Sequence, residues 1–503
     1  MKILLLNPPY SYPEKSFSFS DFSAIPLGLL YIATVLEQEG YNVQILDSLS
    51  MNVKTRISKS CEQIHVGASW QQIEAELQRL KPDVVGITNP YSVQISNAIT
   101  ASEIVKRISP KILTVVGGPH ASIRPLDFFE RTKSIDIVAM GEGEYIMPQI
   151  IHYVEGKTEL ATIDGIAYQE NGQAKVNPRG TFIKDLDQLP FPSYHLLDIE
   201  KHFDLMRSGY LGRSFVKTDS AIPLVTSRGC PFNCVFCSIH LHMGRKWRAH
   251  SSSYVLNHLE HIVKNLTIKH VSFVDDNLTL NSKRFEEILD GIVEKDLNIT
   301  WNTPNGVRAD TLNRKILLKA KKAGCVSLVI GVESGDQEIL GKVIHKSLDL
   351  SKVVEVCRIC KEIDLPLSAF FVIGLPGERK ENIERTLVFA RMLNKKFDVM
   401  PIISFAMPYY GTALYRICKE GNYLINEPTP ENIIVSDEHG KFFIGTPDFT
   451  PEEVRACYKK FYRKLILTQL TKPIYYLKIF SKNPKILFTH MKRILKKMMT
   501  EGT

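Results

Sequence analysis

Twice along this chain of 503 residues, short unbroken apolar runs alternate with helical stretches. Unbroken apolar runs mark strands buried on both faces, and the intervening helices supply the cover. Each series therefore commits its part of the chain to a parallel sheet. The first series predicts strands at 2–9 (KILLLNPP), 42–47 (NVQILD), 83–89 (DVVGITN), 111–118 (KILTVVGG) and 135–144 (IDIVAMGEGE). Helices are expected from Pro26 to Gly40, over 70–80 and 96–108, and after the last strand to 154. The second series predicts six strands, at 222–230, 271–277, 299–307, 326–334, 367–378 and 398–408. Helices over 281–295, 312–323, 351–363 and 380–394 join them. The fold class is thus α/β: a doubly wound, Rossmann-like sheet, then a partial (β/α)6 barrel and a C-terminal helical extension. In both architectures ligands gather at the C-terminal ends of the strands.

The expected boundaries are an α/β domain over 1–155, a hairpin and linker over 156–214, a barrel core over 215–445 and a helical basic extension over 446–503. The hairpin turns at Asn171-Gly172, a strong short turn signal. The stretch LDQLPFPSYHLLD is punctuated by proline and reads as extended.

Composition narrows the function classes. With 44% hydrophobic and 23% charged residues the chain reads as globular. It contains no apolar run of the roughly 18 residues that a spanning helix needs. The N-terminus MKILLLNPPY is too short in its apolar part for a secretory signal and lacks a small-residue cleavage site. A cytoplasmic location is expected. The net charge of +9 is concentrated in residues 471–503, which alone carry eight Lys or Arg and one Glu. The balance elsewhere gives no reason to expect a nucleic-acid partner. The tail mixes its charges with Tyr475, Tyr476, Phe480, Ile486, Leu487 and Phe488. That mixture could make a peripheral contact with an anionic membrane surface, but a solvated closing pair of helices is the favoured reading.

Nine cysteines, an odd number scattered over a cytosolic-looking chain, argue against a disulfide framework. Three of them crowd together in Ser227-Arg228-Gly229-Cys230-Pro231-Phe232-Asn233-Cys234-Val235-Phe236-Cys237, a C-x3-C-x2-C spacing that follows the first barrel strand. Three thiolates can bind three irons of a cubane and leave the fourth iron free for a small molecule. A structural zinc site would want four closed ligands. A ferredoxin-type cluster would want a fourth cysteine, and none lies nearby. Cys357-x2-Cys360 falls inside an expected helix, where core packing explains it.

With its aromatic Phe236 before the last cysteine, this loop resembles that of the radical S-adenosylmethionine (SAM) superfamily. The resemblance covers roughly 215–430. It implies a [4Fe–4S] cluster on Cys230, Cys234 and Cys237, whose open iron chelates SAM, and cleavage of SAM to methionine and a 5′-deoxyadenosyl radical. It also implies SAM contacts at later strand ends. Asp275 and Asp276 would meet the ammonium group. Glu333 and Ser334 would meet the amino acid or ribose, and Gly374 and Gly377 the adenine. Arg308 would pair with the SAM carboxylate or with Glu333. Each residue also has a purely structural use, as a helix cap, an ion-pair member or a turn residue.

The first domain resembles the cobalamin-binding domain of the B12-dependent branch of that superfamily. The matching pieces are Lys2–Pro9, Pro26-Leu27-Gly28-Leu29, Val115-Val116-Gly117-Gly118-Pro119-His120 and Gly141-Glu142-Gly143-Glu144. Gly117, Gly118, Gly141 and Gly143 would let a flat corrin approach the backbone, with His120 beside it. The D-x-H-x-x-G motif that supplies a cobalt-ligating histidine is absent. Methylthiotransferases also join an α/β domain to this core, but need three cysteines there, and residues 1–200 hold only Cys61.

The resemblance implies methylation of an unactivated carbon on a small molecule, lipid-like or a secondary metabolite. One SAM would supply the methyl group through cobalamin and a second the radical, with electrons from a flavodoxin or ferredoxin. The alternatives are a radical cyclase or rearranging oxidoreductase of the same architecture, and a non-catalytic corrinoid or Fe–S carrier.

Overall fold

The computed structural model describes residues 1–13, 25–51, 56–58, 63–180, 182–207, 218, 220–433 and 442–470. The basic segment 471–503 lies outside the described residues, as do Cys61 and most of the stretch 208–219.

The first sheet has seven strands: β1 Lys2–Asn7, β2 Asn42–Asp47, β3 Val84–Thr88, β4 Leu113–Gly117, β5 Ile137–Ala139, β6 Ile166–Glu170 and β7 Gln173–Asn177, in spatial order β7-β6-β5-β4-β3-β1-β2. Strands β1 to β5 pair in parallel. Alternation along β1 shows why the chain folds this way. Ile3 and Leu5 enter one core with residues of the helices Leu27–Gln38 and Gly143–Val154. Leu4 and Leu6 enter the opposite core with residues of Trp70–Leu80 and Ile95–Ile108. Each such side chain, taken fully from water, contributes about 1.5–3 kcal/mol.

The hairpin expected within the linker instead joins this sheet. Its strand β6 pairs antiparallel with β5, so the sheet runs on to Asn177, past the expected boundary at 155. The turn signal revealed the hairpin. Its docking depends on Ile166, Ala167 and Tyr168 being buried against β5, a tertiary matter.

The second sheet pairs its six strands in chain order, all parallel: β8 Ala221–Leu224, β9 His270–Phe273, β10 Thr300–Asn302, β11 Cys325–Glu333, β12 Leu367–Ile373 and β13 Met400–Phe405. It stays open, as a partial barrel does. Trp301 is fully buried, edge-on to Phe273 and Phe285. Several outer helices carry side-chain N-caps: Ser251 to Tyr254 N–H, Asn281 to Arg284 N–H and Asn313 to Ile316 N–H. Cys357 and Cys360 are buried in the helix Leu350–Glu362, as core residues. A 20-residue helix, Pro451–Leu470, closes the described chain. No described helix is long and apolar enough to cross a membrane.

Candidate functional site

The cysteine loop leaves β8 and is shut at its base by a short antiparallel ribbon, in which Ser227–Arg228 pairs with Arg248–Ala249. Gly229 opens the loop at φ +79°, where a Cβ would stand 2.6 Å from the Lys246 carbonyl oxygen, so only glycine fits. Val235 N–H donates to the Ile344 carbonyl at 3.1 Å, and Leu414 N–H donates to the Val235 carbonyl at 2.9 Å. The loop is thereby held between the segment after β11 and the helix Ala413–Glu420. Phe236 is half-buried against the main core.

Cys230, Cys234 and Cys237 are all half-buried and free of disulfides. Burial pushes the Cys237 thiol up to about 12 and raises Cys234 as well. Thiolates there need a cationic partner to neutralise them, and iron supplies one. Among the described residues no three His, Cys, Asp or Glu side chains converge to hold a single metal ion.

Each expected SAM-site residue can now be placed. Asp275 is fully buried, and its Oδ1 accepts from Thr226 N–H (3.1 Å), Thr226 Oγ1 (2.7 Å) and Ser227 Oγ (2.6 Å). It braces the chain entering the cysteine loop; burial raises its carboxyl. Asp276 accepts from Gly229 N–H at 2.8 Å, and burial pushes it up to about 6 against that bond. Asn277 points its amide at Cys230 Sγ, 3.8 Å away. Glu333 ends β11 at φ +73°, a strained conformation for a residue with a Cβ. It pairs at 2.9 Å with Lys346, which is 5% exposed and also donates to the Gly331 carbonyl. Ser334 is turned away from the strand end, to Thr386 Oγ1 at 2.9 Å and Asp336 N–H. Gly374 and Gly377 both have positive φ. Their turn is pinned by the buried Glu378, which accepts from Gly374 and Leu375 N–H at 2.8 Å each. Arg308 does not pair with Glu333: it is chelated by Asp310 and lies 3.8 Å over the Phe232 ring.

At the first sheet's strand ends the Cβ positions of the glycines have protein neighbours. A Cβ on Gly118, at φ +126°, would stand 2.3 Å from Asn89 O. On Gly141 it would meet Arg179, and on Gly143 Ile32; Gly117 has ordinary contact with Ala139. His120, 2% exposed, binds Ser92 Oγ at 2.9 Å through Nδ1, faces Asp127 and packs edge-on against Phe128. Its contacts in this structure are with protein. Burial alone would raise Asp127, but bonds from His120 and Arg124 bring it down to about 2. The polar groups that fit a ligand here are others. Asn7 Oδ1, Ser48 Oγ and Asn89 Oδ1, at three neighbouring strand ends, are buried without hydrogen-bond partners. Such atoms suit a large amide-bearing ligand such as cobalamin.

The two sets of strand ends face each other. The helix Pro119–Ile123 after β4 packs on the helix Ile239–His242, which directly follows Cys237. Arg124 lies 4.4 Å over the Tyr410 ring, from the loop after β13. The side chains of Glu142 and Glu144 point across to Arg228 and Arg248. Sequence reasoning missed this buried ion cluster and Lys346. Acidic residues alternating with glycine, and an arginine two before the first cysteine, were the signals.

Comparison with known proteins agrees with this geometry. Residues 20–151 match the B12 binding domain and residues 224–390 the radical SAM superfamily. An uncharacterized methyltransferase of Pyrococcus horikoshii is 32% identical over 428 residues, covering 84% of each chain. The cytidylyl-2-hydroxyethylphosphonate methyltransferase of Streptomyces wedmorensis is 26% identical, covering 92% of this chain and 89% of that one. The cobalamin-dependent SAM radical enzyme OxsB, solved with aqua-cobalamin and SAM, shares the fold at a TM-score of 0.68 and 20% identity, covering 98% of this chain and 75% of that one. Three half-buried thiols on one sheet, facing a B12-type domain on another, thus have a single interpretation: the chain belongs to the cobalamin-dependent branch of the radical SAM superfamily.

Proposed function

We propose that this chain methylates an unactivated carbon of a small molecule held between its two facing sheets. The observation that carries the reading is the apposition of Pro119–Ile123 and Ile239–His242, which brings the first sheet's strand ends against the segment leaving the cysteine loop. Methyltransferase relatives of nearly full length support the choice of reaction. When bound, the cluster supplies the electron that cleaves SAM and the corrinoid supplies a nucleophilic carrier for the methyl group.

In this reading Cys230, Cys234 and Cys237 hold the cluster, while Asp275 and Asp276 orient their loop through Thr226, Ser227 and Gly229. Glu333 and the Gly374–Gly377 turn line the SAM side. Lys346 holds the Glu333 carboxylate in place and keeps its charge compensated. On the opposite side Asn7, Ser48 and Asn89 offer the corrin unpaired polar atoms. A flavodoxin or ferredoxin as electron donor, and contact of the basic tail with an anionic membrane, belong to the same proposal.

The test is anaerobic purification with cobalamin supplied, counting iron, sulfide and cobalt per chain, followed by incubation with SAM, reductant and candidate substrates. S-adenosylhomocysteine, 5′-deoxyadenosine and a methylated product together are expected. 5′-Deoxyadenosine without S-adenosylhomocysteine would favour the cyclase or rearrangement reading. Absence of SAM cleavage by the loaded protein would leave only a carrier.

A further inference from the structure

The base of the cysteine loop is not closed by its own domain alone. Arg228 stands two residues before the first cysteine, and Arg248 is its direct cross-strand partner in the closing ribbon. Like charges directly opposite on a ladder repel, and both side chains are nearly excluded from water, at 7% and 4% exposure. Asp276 of the same domain lies near enough to feel both, but the carboxylates that pair with them directly come from the other domain. Glu142 reaches both legs of the loop: its Oε1 is 2.9 Å from Arg228 Nη1 and 2.8 Å from Arg248 Nη1. Glu144 takes the remaining end of Arg228, 2.7 Å from Nη2. Glu142 Oε2 accepts further from Ile183 N–H, and Arg248 donates to the Ile183 and Met243 carbonyls. The carboxylates are 2% and 7% exposed. The turn that bears them starts the helix Gly143–Val154, which packs on the Leu27–Gln38 helix. Neither half of this cluster is neutral without the other, and breaking a buried pair leaves an uncompensated charge.

We infer that Glu142, Glu144, Arg228 and Arg248 are positioning residues which lock the cysteine loop to the first domain and so fix the separation of the two cofactors. The inference rests on the functional reading above. A substrate carbon must be reached from both cofactors in turn, so their separation is itself a chemical parameter. A planar guanidinium forked between two carboxylates sets direction as well as distance, which a lysine ammonium does not.

The experiment uses the full chain loaded anaerobically with iron, sulfide and cobalamin and reduced with dithionite. Cluster and corrinoid are then both paramagnetic, and their mutual broadening in electron paramagnetic resonance reports the distance between them. Wild type is expected to show one well-defined coupling. E142Q and R228Q are expected to weaken it and spread it over a range of distances, with R228K recovering it in part. R131Q, which removes a more exposed ion pair between the same two domains, that with Glu431, is expected to leave it unchanged. If E142Q does not fold, E144Q carries the test, because it takes only one of Arg228's two carboxylates. Metal-loaded E142Q or E144Q and R228Q with wild-type coupling would overturn the inference. Loss of iron in R228Q alone, with the coupling of the glutamate variants intact, would also overturn it. A wild-type chain that binds neither iron nor cobalt would instead overturn the functional reading.

Discussion

The two sets of strand ends are built from different chemistry. Around the cysteine loop, buried carboxylates are spent on backbone and hydroxyl donors: Asp275 on Thr226 and Ser227, Asp276 on Gly229, Glu378 on Gly374 and Leu375. At the first sheet the unpaired oxygens are on neutral groups, Asn7 at the end of β1, Asn89 after β3 and Ser48 after β2, beside glycines fitted against protein; the one buried carboxylate among them, Asp47 at the end of β2, is engaged by Asn7, Leu49 N–H and His202. A buried carboxyl group that accepts two or three bonds at once ties several points of a loop together, whether or not it also carries a proton. Neutral groups hold less tightly and suit a large ligand with many amides. The comparison teaches that the cluster side is pinned in advance, whereas the corrin side is shaped by close packing.

The comparison can be broken or sharpened by three sets of variants, of decreasing effect. Replacing Cys230, Cys234 and Cys237 together by alanine is expected to abolish iron–sulfur absorbance and 5′-deoxyadenosine formation completely. Retention of either would remove the distinction between the two sides. Next comes Glu378, 0% exposed and pushed by burial up to about 7, against the bonds from Leu375 and Gly374. Its native carboxyl holds a proton that the unfolded chain, with a pKa near 4.5, has released. The stability it contributes is therefore full below about pH 4.5 and lost as pH rises to 7. The loss is of the order of 3 kcal/mol, which denaturant titrations across that range should resolve. Glu378→Gln, which keeps an acceptor for both N–H groups, should flatten this slope.

The smallest effects contrast two glycines of the first domain. Gly118→Ala forces a Cβ against Asn89 O at a positive φ and should cost about 1–3 kcal/mol by thermal or urea unfolding. Gly28→Ala meets nothing within 4 Å in its helix and should be neutral or stabilising by up to about 1 kcal/mol. Equal losses at both would mean that close packing does not shape the corrin side.

Much of the fold was legible. The runs at 42–47 and 70–80 became the strand Asn42–Asp47 and the helix Trp70–Leu80 without shift, because period and caps are local. The barrel strands were drawn too long: 299–307 shrank to Thr300–Asn302 and 222–230 to Ala221–Leu224. Apolar runs there continue into loops that are buried for other reasons. At the site, the cysteine spacing was fully legible. The partners of Asp275 and Ser334 were not, since Ser227 and Thr386 lie 48 and 52 residues away; Arg308 took a carboxylate only two residues on, Asp310, because a polar side chain at a strand end has several neighbours to choose from.

By itself the sequence determined two parallel sheets in series, three thiols spaced for a cluster and the absence of the D-x-H-x-x-G cobalt-ligand motif, because periodicity and spacing are properties of neighbouring residues. Only the tertiary structure decided that the hairpin extends the first sheet, that His120 faces Ser92 and Asp127, and that Glu142 spans both legs of the cysteine loop. These depend on which groups meet after burial, where a charge must find its opposite whatever its distance along the chain.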